Sequence, residues 1–253
     1  MAMLLLALFS SLAFARETVL ITAFEPFGGR KVNNSALVAA ELAANFSKDW
    51  DYKVCVLPVE YDRGAEAAKK CFNALERRPA LVLSTGEGDC TVRAEIRAHN
   101  LDDSPGFPDN GGLIREKYVI EPGAPDHQPL TLPEPEMVCA ARVGSAPEVR
   151  VRASISPGYF VCNGTAFRLA RYFAPQKMRF GFVHLPVAGS CGVTPRQGAE
   201  ALHKMVKQVL APEKRGPEFS TCVTGVKREL DELLKKDRSA LVRRGDIAPT
   251  PGG

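Results

Sequence analysis

Short apolar runs rich in β-branched residues alternate along this chain with stretches of helical periodicity, and that alternation narrows the folds open to it. TVLITAF (18–24), YKVCVLPV (52–59), ALVLSTG (80–86), EVRVRASI (148–155) and RFGFVHLPV (179–187) read as strands. Between them SALVAAELAANF (35–46), capped by Asn34 or Ser35, GAEAAKKCFNALER (64–77), the stretch from Gly158 to Phe173, and TPRQGAEALHKMVKQVLA (194–211) read as helices. TVRAEIRAHN (91–100) alternates with the period of a half-exposed strand, and 101–135 reads as a loop rich in Pro, Gly and Asp. Strand followed by helix, repeated, predicts an α/β protein: a mostly parallel twisted sheet covered by helices on both faces. In such folds ligands bind beyond the carboxyl ends of strands. The polar groups there are few: EPFGG after the first strand, GEGDC after the third, the helix carrying Cys162, and HLP at 184–186.

With 253 residues, 45% of them hydrophobic and 25% charged, the chain can build one substantial core. The net charge of +4 is spread without a dense basic block, which gives no reason to expect nucleic acid. The first fifteen residues, MAMLLLALFSSLAFA, carry no charged side chain and end in Ala13-Phe14-Ala15, the pattern of a secretory signal cut before Arg16. The run from Met3 to Phe9 is too short to span a bilayer, so no membrane anchor is expected. On this reading 16–211 is the main domain, and 212–253 is an extension with a charged helix over 226–244 and a flexible end.

Seven cysteines permit up to three disulfides and one odd thiol, without saying which. Cys162 stands in the first turn of its helix, where unpaired N–H groups and the helix dipole favour a thiolate and could hold an oxyanion. On placement alone, a buried, inert cysteine on an apolar helix face is the better reading. Of four histidines, His184 lies on a buried strand where an ionisable ring needs a partner. His99, His127 and His203 look unremarkable. Glu95, flanked by Arg93 and Arg97 on what the alternation makes one strand face, could orient an imidazole or be part of an exposed charged face.

VLITAFEPFGGRKVNNS, AEIRAHNLDD with FPDNGG, GYFVCN and FGFVHLP together resemble the signatures of the pyroglutamyl peptidase I (pyrrolidone-carboxylate peptidase) family of cysteine peptidases, in that family's order, over about Thr18 to Leu210. The resemblance implies a three-layer α/β/α sandwich. It implies a nucleophile at Cys162, a base at His184 and a supporting carboxylate at Glu95. It implies removal of N-terminal pyroglutamate from peptides without metal or cofactor. Phe24 and Phe27 would then grip the flat lactam, Gly28 would let the backbone approach it, and Glu87 would stand where the family has glutamine. Two residues are missing after the third strand, and GFPDN lacks the family's arginine. The leader and tail are unusual for a mostly cytosolic family; a real leader means an exported protein, periplasmic or secreted, and otherwise a cytoplasmic one. Homo-oligomers are common among relatives. Two alternatives stand beside the peptidase: a catalytically impaired relative that binds pyroglutamyl or similar peptide ends, and a same-fold cysteine hydrolase with another acyl substrate.

Overall fold

The computed structural model describes residues 16–213 and 215–244. The expected leader (1–15) and the expected flexible end (245–253) lie outside the described residues. Among the described residues, ten strands and six helices follow in chain order: β1 (Thr18–Phe24), α1 (Asn34–Asn45), β2 (Asp51–Leu57), α2 (Tyr61–Asn73), β3 (Leu81–Glu87), β4 (Val92–Glu95), β5 (Arg97–His99), β6 (Leu101–Asp102), β7 (Tyr118–Val119), β8 (His127–Pro129), α3 (Glu134–Arg142), β9 (Val151–Ser154), α4 (Val161–Phe173), β10 (Phe180–Leu185), α5 (Pro195–Leu210) and α6 (Pro217–Arg244).

The central sheet has the order β2-β1-β3-β10-β4-β9. Its pairs are parallel except β10 with β4, which is antiparallel. β1 is buried along its whole length, as is β10, which explains why both read as unbroken apolar runs. One face packs α1, α3 and α5 around Val38, Leu42, Val138, Leu202 and Val206. The other packs α2 and α4 around Ala65, Ala68, Phe167, Leu169 and Phe173. The result is the three-layer α/β/α sandwich expected from the alternation.

Four expectations change in detail. β2 stops at Leu57 because Pro58 cannot donate to the ladder. The single strand expected over 91–100 is broken at Ile96, whose N–H goes to Ser154 O while its carbonyl accepts from Leu130 N. Its second half, β5, leaves the main sheet to pair with β8. Arg97 therefore does not share a strand face with Glu95; it reaches Ile155 O and Asp237 instead. The loop over 101–135 contains three strands of two or three residues, β6, β7 and β8, too short to show a period. α3 falls where no helix was expected, starting in a Pro-rich stretch with Pro135 in its first turn, where a missing N–H costs nothing.

α6 is held on α3 by the Cys139–Cys222 disulfide, by burial of Val226 and Leu230, and by Lys227 with Glu136.

Glu134 opens α3 nearly buried, with Oε1 lacking a hydrogen-bond partner among the described residues. Desolvation raises its carboxyl from 4.5 to about 8. The folded protein therefore holds a proton between these values that the unfolded chain releases. Its stability contribution is complete below pH 4.5 and is lost as pH rises toward 8. Glu134→Gln should match the wild type near pH 5 and exceed it by about 1–3 kcal/mol at pH 8. Urea denaturation at both pH values checks this; identical pH slopes for the two proteins would refute it.

Candidate active site

β10 lies between β3 and β4, and its register sets the site. On one side His184 is opposite Gly86, and Leu185 is opposite Glu87. On the other, His184 is opposite Arg93 and Phe182 is opposite Glu95. His184 and Glu95 are thus diagonal neighbours on one sheet face. Nδ1 of His184 donates to Glu95 Oε1 at 2.9 Å. Glu95 is fully buried and His184 is 3% exposed, so this is a desolvated pair.

The sulfur arrives on α4. Gly158 takes φ +78°, a left-handed conformation that a side chain would strain, and turns the chain into the helix. Phe160 is the N-cap residue and offers no side-chain acceptor, so the first-turn N–H groups are left without a cap. Cys162 is the second residue of that turn. Asn163 anchors it: its Oδ1 accepts from His99 N at 2.7 Å, and its Nδ2 donates to His99 O and Leu101 O at 3.0 and 2.7 Å. This accounts for a polar residue on an otherwise apolar helix face.

Sγ and the imidazole meet over Gly86. A Cβ on Gly86 would lie 2.8 Å from Cys162 Sγ and 3.5 Å from Cδ2 of the His184 ring. The other six cysteines form Cys55–Cys71, Cys90–Cys191 and Cys139–Cys222. Cys162 is the free thiol among the described residues.

The four histidines part company electrostatically. Burial works against an imidazolium at His184, but hydrogen bonds and charge from Cys162 and Glu95 outweigh it and raise the ring to about 9. His99 goes the other way: burial, then the neighbouring His127, lower it to about 4. Desolvation also lowers His127 and His203. These three are not idle surface rings. His99 bonds His127 Nδ1 and Ser156 Oγ, and His203 bonds the Tyr52 hydroxyl.

A cavity of about 220 Å³ opens at the sulfur, lined by Phe24, Phe27, Val59, Phe160, Val161 and Val187, with Arg30, Asn33, Glu87 and Gly88 as its polar margin. Phe27 and Phe160 rings stand 4.9 Å apart. Phe24 and Phe27, both singled out in the sequence, are part of that lining. Gly28 is not in the lining; its φ of +64° serves the turn that presents Phe27. Glu87 does line the cavity, but its carboxylate is engaged: Oε1 accepts from Asn34 N at 2.6 Å and Ala188 N at 3.2 Å, and Oε2 pairs with Arg30. It ties three loops together around the cavity. Phe160 and Val161 were legible as neighbours of Cys162 in GYFVCN. Val59 and Val187 follow strand ends far apart in sequence, and no local signal marks them.

A thiol, an imidazole and a carboxylate in a row on an α/β/α sandwich are the parts of a cysteine-type hydrolase. The comparisons make this specific. The family model for pyroglutamyl peptidase matches residues 17–210. A pyrrolidone-carboxylate peptidase from Gloeobacter violaceus is 33% identical over 88% of this chain and 99% of its own length. One from Aliivibrio fischeri is 29% identical over 76% and 88%. Among solved structures, pyroglutamyl peptidase I from Bacillus amyloliquefaciens superposes with a TM-score of 0.70 over 79% of this chain and all of that one, at 21% identity. The pyrrolidone carboxyl peptidase of Thermococcus litoralis superposes with a TM-score of 0.67 over 77% and 93%, at 25% identity. The chain belongs to the pyroglutamyl peptidase family.

Gly86 is the point where room is tightest. Gly86→Ala would press a methyl group against Sγ and against Phe182 Cζ at 3.1 Å. A reacting atom displaced by about 1 Å costs on the order of 100-fold in rate. Turnover should fall at least that far while the thermal midpoint drops only modestly. Near-wild-type turnover would show that sulfur and imidazole do not meet over this residue.

Proposed function

We propose that Cys162, His184 and Glu95 carry out hydrolysis of N-terminal pyroglutamyl peptides by acyl transfer. The observation that carries this reading is the free thiol of Cys162 beside the His184–Glu95 pair, at the mouth of a small apolar cavity. Pyroglutamate is a neutral five-membered lactam, so a pocket of aromatic and valine walls with a narrow polar margin suits it better than a charged clamp.

In this mechanism the thiolate of Cys162 attacks the pyroglutamyl carbonyl carbon, forming a C–S bond. The carbonyl oxygen becomes an oxyanion, stabilised by the uncapped N–H groups at the head of α4. His184, whose raised pKa keeps it protonated at neutral pH, gives its proton to the departing amine as the C–N bond breaks. Neutral His184 then takes a proton from water, hydroxide attacks the thioester, and pyroglutamate leaves as the thiolate and imidazolium re-form. Glu95 holds Nδ1 throughout, so Nε2 faces the sulfur.

We also place the mature protein in an oxidising compartment, beginning near Arg16. Three disulfides within one chain are characteristic of exported proteins. The A-x-A pattern before Arg16 agrees with them.

Two measurements test these readings. The mature protein should hydrolyse a pyroglutamyl amide, and Cys162→Ser should lose at least about 1000-fold in kcat; activity surviving in the serine variant would remove Cys162 as nucleophile. Intact mass with thiol labelling of exported material should give a chain starting near Arg16 with one labelled sulfhydryl. A retained leader, or several labelled thiols in the unreduced protein, would count against export.

A further inference from the structure

Behind the imidazole the row of charges continues past Glu95. Glu95 accepts at a single oxygen: His184 Nδ1 donates to Oε1 at 2.9 Å, and Arg93 Nε donates to the same atom at 3.3 Å. Oε2 is buried with no partner among the described residues. Arg93 in turn donates through Nη1 to Asp89 Oδ2 at 2.6 Å, and Arg152 reaches the same oxygen at 2.9 Å. Asp89 precedes Cys90, whose disulfide to Cys191 joins the β3–β4 loop to the β10–α5 loop. Arg93 Nη2 would lie 2.7 Å from a Cβ on Gly88, and His184 Cβ 3.1 Å from the same point, so the guanidinium runs alongside the catalytic strand.

We propose that Arg93 is a positioning residue of the reaction: its guanidinium holds Glu95 as an oriented anion and so keeps His184 aimed at Cys162, while Asp89 on the disulfide-anchored loop aims the guanidinium. The proposal rests on the reading that Cys162 and His184 are the reacting pair. Its physical basis is the moment when His184 has passed its proton to the leaving amine. The imidazole is then neutral, and Glu95 would be a buried carboxylate without a counter-charge, a costly state. A guanidinium does not deprotonate, so Arg93 supplies that charge at every stage. The groups facing Glu95 are His184 from β10 and Arg93 from β4. Those facing Arg93 are Glu95 and Asp89, with Arg152 of β9 behind Asp89. Cys162 of α4 faces the far side of the imidazole, and Glu87 is turned away to Arg30.

The test uses the full mature protein with its disulfides intact, and reads the rate of Cys162 alkylation by iodoacetamide against pH. Removing the cation leaves the buried Glu95 carboxylate without compensation and loosens its hold on the imidazole beside Cys162, which moves the acid limb of alkylation upward. In Arg93→Gln the limb should shift upward by about half a pH unit or more, lowering the rate below the limb about threefold. Arg93→Lys should recover most of the shift, and Asp89→Asn should shift in the same direction by less. With a pyroglutamyl amide, kcat of Arg93→Gln should fall about tenfold with little change in KM. A limb that coincides with wild type in Arg93→Gln overturns the proposal, even if melting temperature or kcat declines, because a merely structural residue would do that. If Arg93→Gln does not fold, Asp89→Asn decides, and an unmoved limb there overturns it equally. Alkylation needs no peptide substrate, so a protein that shows the limb shift but ignores pyroglutamyl amides would sink the peptidase reading and leave this one standing.

Discussion

The hydrogen bond between His184 Nδ1 and Glu95 Oε1 is the constraint around which the site is organised. Both groups are almost wholly removed from water, and neither could be charged there alone without a cost of several kcal/mol. Together, with the sulfur on one side and Arg93 on the other, they form a charged row that the surrounding sheet can tolerate. The one antiparallel pairing in the main sheet, β10 with β4, makes the row possible. A parallel neighbour would enter the sheet from the other end and bring a different register to His184.

Around that row the fold gathers loops that are distant in sequence. The β1–α1 loop brings Phe27 and Arg30, the β3–β4 loop brings Glu87 and Gly88, and the β10–α5 loop brings Val187. Two devices hold them. Glu87 takes N–H groups from two of these loops and the guanidinium of Arg30, and the Cys90–Cys191 bond joins the second loop to the third. The free thiol of Cys162 therefore sits inside a frame that other sulfurs keep closed, and disulfide pairing has to leave it aside. Its place at the head of α4 leaves it unpaired while the other six bond one another.

The layered architecture was legible because buried strands and amphipathic helices leave strong periodic signals, as in TVLITAF and FGFVHLP. Cys162, His184 and Glu95 were singled out together only through the motifs that carry them. Spacing alone left Cys162 open between nucleophile and core residue, and Glu95 open between orienting carboxylate and exposed charge. The break at Ile96 explains part of that difficulty: alternation over 91–100 looked continuous, yet Arg93 stays with Glu95 while Arg97 leaves with β5 for Ile155 and Asp237. α3 was missed because Pro133 and Pro135 mask the short helix behind them. The short pairings of β6, β7 and β8 carry too few residues to show any period.

The amino-acid sequence by itself determined the alternation of the main strands and helices, that seven cysteines allow three disulfides beside one odd thiol, and that the chain carries the ordered motifs of its family. These follow from local periodicity and from composition, which need no knowledge of distant contacts. Only the tertiary structure decided which thiol stays free, which of four imidazoles is held protonated, and that Glu87 secures loops while Arg93 backs the carboxylate. Those outcomes depend on burial and on distances of about 3 Å between residues up to a hundred positions apart, and a linear pattern does not contain them.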